Sequence, residues 1–215
     1  MIYFFADNHY GAHCGKVIFE KLALKDIKFF EDDWSVLETT QWVDDCNLLI
    51  LNLIGDTCNI PHPAGQSEEA IKKYLASGKN VLLLHGSSAA FWQWDWWRKL
   101  PGLRWVRPND PDNVAPSVHP KGVCKLTKAK TRHPLINKLE ELELIEDEIY
   151  TNLEQVSPIT ILMETIVENK SFPQCIETIT PWNGKIVSFI PGHKVENTTL
   201  VTPNVKAIID YLLEK

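Results

Sequence analysis

The sequence predicts an α/β domain, with a doubly wound, mostly parallel sheet in the first half and an irregular β-rich extension in the second. Three observations carry this expectation. Between residues 2 and 84 short β-rich runs alternate with helical patterns, which is the order of βαβ units. Two of those runs, "LLILNL" and "VLLL", are apolar throughout, as befits strands covered by helices on both faces. After residue 100, Pro and Asn crowd "RPNDPDNVAPSVHP" and the later runs are shorter.

The elements follow in order. "IYFF" reads as a first core strand and "GKVIFEKLAL" as a helix, followed by a strand at "IKFF" and another at "NLLILNL". The next helix, over 67–77, has readable ends: Ser67 can cap it, Glu68 and Glu69 sit in its positive first turn, and Gly78 can take the left-handed conformation that ends it. Its apolar residues Ala70, Ile71, Tyr74 and Leu75 share one face. "VLLLH" is a further strand; then "GVCKL", "LELIEDEIY", "ITILMET", "QCIETI" and "KIVSFI" read as strands, partly antiparallel. A last helix, "PNVKAIIDYLLEK", is expected to open with Pro203 in its first turn.

Bulk numbers narrow the function classes. The chain has 215 residues with 44% hydrophobic and 23% charged, and no low-complexity stretch divides it, so residues 1–215 read as one soluble domain. The net charge is −6, and basic residues gather only weakly around "KLTKAKTRH", so no nucleic-acid partner is expected. The N-terminus lacks a basic stretch followed by a long apolar run, so neither a signal peptide nor a membrane anchor is expected. Five scattered cysteines without a C-x-x-C pair suit a reducing cytoplasm and exclude a zinc ribbon. No G-x-G-x-x-G follows a strand, so no nucleotide cofactor is expected.

In open α/β sheets ligands bind beyond the carboxyl ends of the strands. That rim would carry His9 and His13 after the first strand, Asn52 and Asp56 after "LLILNL", His85 after "VLLL", and His193 after "KIVSFIPG". "KNVLLLHGSSAAF" has the strand, small-residue turn and helix order that exposes one side chain above a sheet. The exposed position falls on His85, with Ser87 and Ser88 next; a plain turn explains the same residues equally well. Phe91, Trp92, Trp94, Trp96 and Trp97 cannot all face inward on one helix. A sugar platform and a subunit interface compete for those left over. Glu146, Asp147 and Glu148, followed by Tyr150, could supply a base or a hard-metal ligand, although such runs usually form a solvated edge. For His119 and His133, each followed by proline, turn initiation is a sufficient account.

Taken in order, His13, "GKNVLLLHGSSAAFWQW", "VHP" (His119, Pro120), "RHPLINKL", "EDEIYTNL" and "GKIVSFIPGH" resemble segments of the ThuA-like, trehalose-utilisation family. The resemblance runs end to end and implies a flavodoxin-like fold of the class I glutamine amidotransferase type. It places His85 where those amidotransferases carry a cysteine, so glutamine hydrolysis through a thioester is not expected. Glu196, three residues after His193, also alters their H-x-E pairing, and Asn183 and Ser188 depart from the family pattern. The resemblance implies a role in using trehalose or related disaccharides through keto-sugars. The expected function is therefore a cytoplasmic sugar-modifying enzyme with His85, His193, Asp147 and Glu148 as acid/base groups. His13, Ser87, Trp92, Trp94 and Tyr150 would bind a small sugar. A divalent metal held by His13, His85, His193 and Glu148 is a candidate cofactor, and a homo-oligomer is the expected assembly. The alternatives are a non-catalytic carbohydrate- or protein-binding module and a hydrolase using Ser87 or Ser88.

Overall fold

The computed structural model describes residues 1–56 and 58–214. Its first half alternates as the pattern demands: β1 (Ile2–Ala6), α1 (Cys14–Leu22), β2 (Ile27–Glu31), β3 (Leu48–Asn52), α2 (Ser67–Ala76) and β4 (Asn80–Leu84). The second half is strand-rich, with β5 (Leu103–Arg104), β6 (Lys121–Lys128), β7 (Leu142–Glu148), β8 (Glu154–Gln155), β9 (Thr160–Val167), β10 (Lys170–Ile179) and β11 (Lys185–Phe189), closed by α3 (Val195–Leu213). Among the described residues one large sheet has the order β2-β1-β3-β4-β11-β10-β9-β6-β7, while β5 and β8 form a small separate pair. From β2 through β11 the pairings are parallel, and from β11 through β7 they are antiparallel.

Strand residues alternate between two cores, as a period of two requires. Ile2, Phe4, Ala6, Leu48, Ile50, Leu82 and Leu84 pack with Ile18 and Leu22 of α1 and Val201, Val205 and Ile208 of α3. Tyr3, Phe5, Leu49, Leu51, Val81 and Leu83 pack on the opposite face with Ala70, Ile71, Tyr74 and Leu75 of α2. Helices therefore cover both faces of the parallel part. The Tyr74 hydroxyl also joins helix to sheet, taking the Leu49 N–H at 2.9 Å and donating to the Asn80 carbonyl at 2.6 Å. Among the described residues no helix is long and apolar enough to cross a membrane.

Two local expectations fail for physical reasons. The last helix begins at Val195, eight residues before Pro203, which lies inside it. Proline there removes a bond to the carbonyl of Thr199, but both residues sit on the exposed side, where the cost is lowest. Residues 87–100 are not one helix but successive tight turns, including Ser87–Ala89 and Trp97–Lys99. Trp94 can therefore stack on both Phe91 (centroids 4.3 Å) and Trp96 (5.5 Å), while Trp97 is buried edge-on against Phe91.

Candidate functional site

Because β1, β4 and β11 run parallel, the loops leaving them meet at one rim, and each delivers a histidine. The rings of His9, His85 and His193 lie with centroids 5.7 Å (His9–His85), 5.7 Å (His9–His193) and 4.6 Å (His85–His193) apart. All three are buried. His9 (φ +48) and His85 (φ +51) both occupy the left-handed region, which is uncommon for a side chain of this size and recurs at functional sites. For His85, that conformation turns the side chain off the end of β4 into the rim.

Hydrogen bonds fix the state of His85. Its Nδ1 lies 2.9 Å from the Ile190 carbonyl, and a carbonyl can only accept, so the proton sits on Nδ1 and the lone pair on Nε2. That Nε2 is buried with no hydrogen-bond partner among the described residues, as are His9 Nδ1 and His193 Nε2. Burial and the neighbouring His193 and His9 push the His85 pKa well below the usual imidazole range. Burial, with His193 adding to it, lowers that of His9 to about 4. At neutral pH these two rings are uncharged, and in His85 the lone pair on Nε2 is free.

Carboxylates support the cluster from two sides. Asp147, at the end of β7, is fully buried and accepts the N–H groups of Gly192 (2.7 Å) and His193 (2.8 Å), with His193 Nδ1 at 3.4 Å. Burial alone would raise its pKa, but the His193 contact, its charge and the two N–H groups outweigh that and hold it well below the usual carboxylate range. Glu148 reaches His193 Nε2 at 3.8 Å and His119 Nδ1 at 3.4 Å. Asp7, just beyond β1, accepts the His9 N–H (2.9 Å) and the Ile54 N–H (2.8 Å). Burial raises its pKa to about 6 against the lowering effect of those bonds.

A cleft of about 520 Å³ opens over this cluster, lined by His9, Tyr10, Ile54, Gly86, Trp105, Arg107, Pro108, His119, Glu148 and Tyr150, within the usual size for a small-molecule site. Tyr150 stands between cluster and cleft, its ring 5.1 Å from His193 and 4.6 Å from Trp105. Gly86 leaves it room, since a Cβ there would come within 3.2 Å of the Tyr150 hydroxyl. Burial, with Glu148 and Asp147 nearby, pushes the phenol pKa upward, so the hydroxyl stays protonated and able to donate.

The expected residues thus divide. His85, His193, Asp147, Glu148 and Tyr150 converge, but of these only Glu148 and Tyr150 line the cleft, which meets the ring cluster through His9. His13 instead pairs with Glu31 at the end of β2 (3.0 Å), half exposed, and does not join the ring cluster. Among the described residues no three His, Cys, Asp or Glu side chains form a group able to hold a metal ion, so the four expected metal donors do not assemble. Neither Trp92 nor Trp94 lines the cleft. Trp94 is used in the aromatic stack, and Trp92 lies under the Arg107 guanidinium at 5.0 Å. Ser87, fully buried, donates to the Leu84 carbonyl (2.6 Å) and accepts the Leu53 N–H (3.0 Å), while Ser88 accepts the Trp105 N–H (2.9 Å). Both hydroxyls serve as struts. The Cys14 thiol contacts the His193 carbonyl at 3.4 Å, and burial pushes its pKa up to about 11. It is not a thiolate. Sequence reasoning missed Asp7, Trp105 and Arg107 and left His9 and His119 without a role.

A family model described as trehalose utilisation, ThuA, matches residues 6–210. The chain belongs to the ThuA family. Its fold is similar to that of a ThuA-like protein from Parabacteroides merdae (TM-score 0.70, 14% identity, 100% of this chain and 91% of that one). It is also similar to a ThuA-like protein from Bacteroides uniformis (0.63, 14%, 96% and 90%). A protein of Salmonella typhimurium described as cytoplasmic matches as well (0.64, 12%, 98% and 98%). No curated protein is a significant match.

Proposed function

We propose that this ThuA-family chain is a cytoplasmic, homo-oligomeric enzyme of disaccharide or keto-sugar utilisation that moves a proton at a sugar carbon beside a carbonyl. The observation carrying the proposal is the uncharged His85 ring, whose unpartnered Nε2 lies within a cluster of three imidazoles under a cleft of sugar size. Buried polar atoms need partners, and a lone pair held free at neutral pH is what a general base requires. The strand order β2-β1-β3-β4-β11 and the left-handed His85 at the strand tip support a flavodoxin-like, amidotransferase-type frame.

In the step, the imidazole cluster, which meets the cleft through His9 with His85 behind it, takes the proton from the carbon next to the carbonyl. The C–H electron pair becomes the C=C bond of an enediolate, and the carbonyl π pair moves to its oxygen. Tyr150 donates a hydrogen bond to that oxygen. The proton then returns from the cluster to the former carbonyl carbon, while the hydroxyl proton of the neighbouring carbon passes to the former carbonyl oxygen, giving the carbonyl isomer with no redox change. Asp147 and Glu148 orient His193 and stabilise positive charge arising in the cluster.

The test follows a keto-sugar in D2O by NMR, with sugar binding measured by calorimetry in parallel. Wild type is expected to exchange the proton beside the carbonyl, and His85→Gln to lose that exchange by at least ~100-fold while still binding sugar. A wild type that binds sugar but exchanges nothing would establish the binding-module alternative.

A further inference from the structure

Trp105 and Arg107 are two residues apart and both line the cleft. Trp105 packs against Tyr150 (centroids 4.6 Å) and His119 (5.3 Å), each ring tilted 50° to the indole, and Ser88 holds its backbone in place. Arg107 is tied differently. Its Nη2 donates to the carbonyls of Ile54 and Gly55 on the loop after β3, and its Nε is buried with no acceptor among the described residues.

This wiring decides which oxygens Arg107 can read. Arginine grips a phosphate or carboxylate through a fork of two N–H groups, formed either by Nη1 with Nη2 or by Nε with Nη2. Both forks need Nη2, which the loop carbonyls already occupy. What remains are single donors, suited to a hydroxyl or carbonyl oxygen. The charges agree: the cleft carries one guanidinium and the Glu148 carboxylate, His9 is uncharged at neutral pH, and ionised Asp147 lies just behind. A phosphate ester, carrying about −1.5 to −2, would gain no fork and would face two carboxylates.

We propose that the cleft binds an uncharged, unphosphorylated sugar with its ring against Trp105 and one oxygen on Arg107, and that it discriminates against sugar phosphates. This rests on the sugar-enzyme reading and supplies the ligand's charge class and the residues that select it. Trp105, rather than the neighbouring tryptophan-rich turn, is the platform.

Calorimetric titration of the full-length protein with trehalose and with trehalose 6-phosphate tests the inference. Wild type is expected to bind trehalose and to bind the phosphate at least ~10-fold more weakly; this comparison needs no variant. Trp105→Ala should weaken trehalose roughly tenfold, and Trp105→Phe, which retains a flat ring, should restore most of it, so that a misfolded alanine variant cannot pass for a lost platform. Glu148→Gln should narrow the gap between sugar and phosphate. Equal or tighter binding of the phosphate, unchanged binding in Trp105→Ala, or no trehalose binding by wild type would each overturn the inference. Because the readout is binding, it can fail while proton exchange survives, or hold while exchange is absent.

Discussion

Asp147→Asn keeps the shape of the side chain at the centre of the site and removes its charge. In the native protein two carboxylate oxygens take two backbone N–H groups, at 2.7 and 2.8 Å, in a wholly buried setting. An asparagine offers one acceptor oxygen and one NH2, so in either orientation a backbone N–H faces another donor. A stranded buried donor costs about 1–3 kcal/mol, and a hydrogen bond to a charged group contributes about 1.5–3. Because these overlap, the expected loss is about 3 kcal/mol. For a chain of this length that lowers Tm by roughly 6–12 °C. The pH dependence provides a second check. The folded-state pKa of Asp147 lies below its unfolded value, so its stabilisation is complete above the ordinary aspartate value of about 3.9 and is lost as pH falls through the lower folded value. Urea unfolding of both proteins from pH 7 to pH 3 should show a constant gap down to about pH 4, narrowing only in stronger acid. A gap under ~1 kcal/mol at pH 7, or one already closing between pH 6 and 5, would refute the assignment of Asp147 as an ionised anchor.

Asp7 should behave in the opposite sense: its pKa is raised from 3.8 to about 6, so its stability contribution is complete below the unfolded value and falls as pH rises from 4 through 6, by about 3 kcal/mol. Asp7→Asn should flatten that slope in urea unfolding, and an unchanged slope would contradict it. His9, at about 4, opposes Asp7 because protonating a ring buried as the neutral form costs stability below pH 6.5; the comparison must therefore be made between Asp7→Asn and wild type at each pH. Gly192→Ala would set a Cβ 2.7 Å from Val201 Cγ2 and 3.3 Å from His85 Cε1 at φ +105. It is expected to cost about 2–4 kcal/mol and to disturb His85, whereas a thermal melt matching wild type would remove Gly192 from the site's supports.

The frame of the site was legible because rim positions follow from strand direction: once "IYFF", "VLLL" and "KIVSFI" are parallel strands, the residues after them share an edge. The choice between His9 and His13 was not, since both follow the same strand. A local signal existed in Asp7, two residues before His9, whose carboxylate takes the His9 N–H in an Asx-type turn and holds that loop inward. His13 stands at the N-cap position of α1 in a left-handed conformation without a capping side-chain bond, and turns to Glu31 instead. Asp147 and Glu148 posed another difficulty, because neighbours on a strand point to opposite faces, yet both reach His193. A register shift between Gly122 and Cys124 on β6, and the positive φ of Glu146 (+53), break the alternation between Leu144 and Asp147, so that both are buried and Asp147 turns inward. Neither irregularity has a sequence signature in "LELIEDEIY". Trp105 was overshadowed by the tryptophan-rich run upstream, whose content suggested a platform although its tight turns direct those rings into their own stack.

The position of the cleft within the sheet explains why Asp7 is placed where it is. The chain moves from β1 to β2 on one side and then returns to pair β3 on the other side of β1, so the loops after β1 and β3 part in opposite directions. Such a switch point leaves a crevice by topology alone, and ligands settle there in open α/β sheets. A crevice between diverging loops is useful only if its lips are fixed. Asp7 fixes both, with one oxygen on the N–H of His9 and the other on the N–H of Ile54, and Arg107 ties the second lip again through the Ile54 and Gly55 carbonyls. Burial of that carboxyl is unfavourable to the charged form, and the fold accepts the cost at the one place where the backbone would otherwise be free to spread.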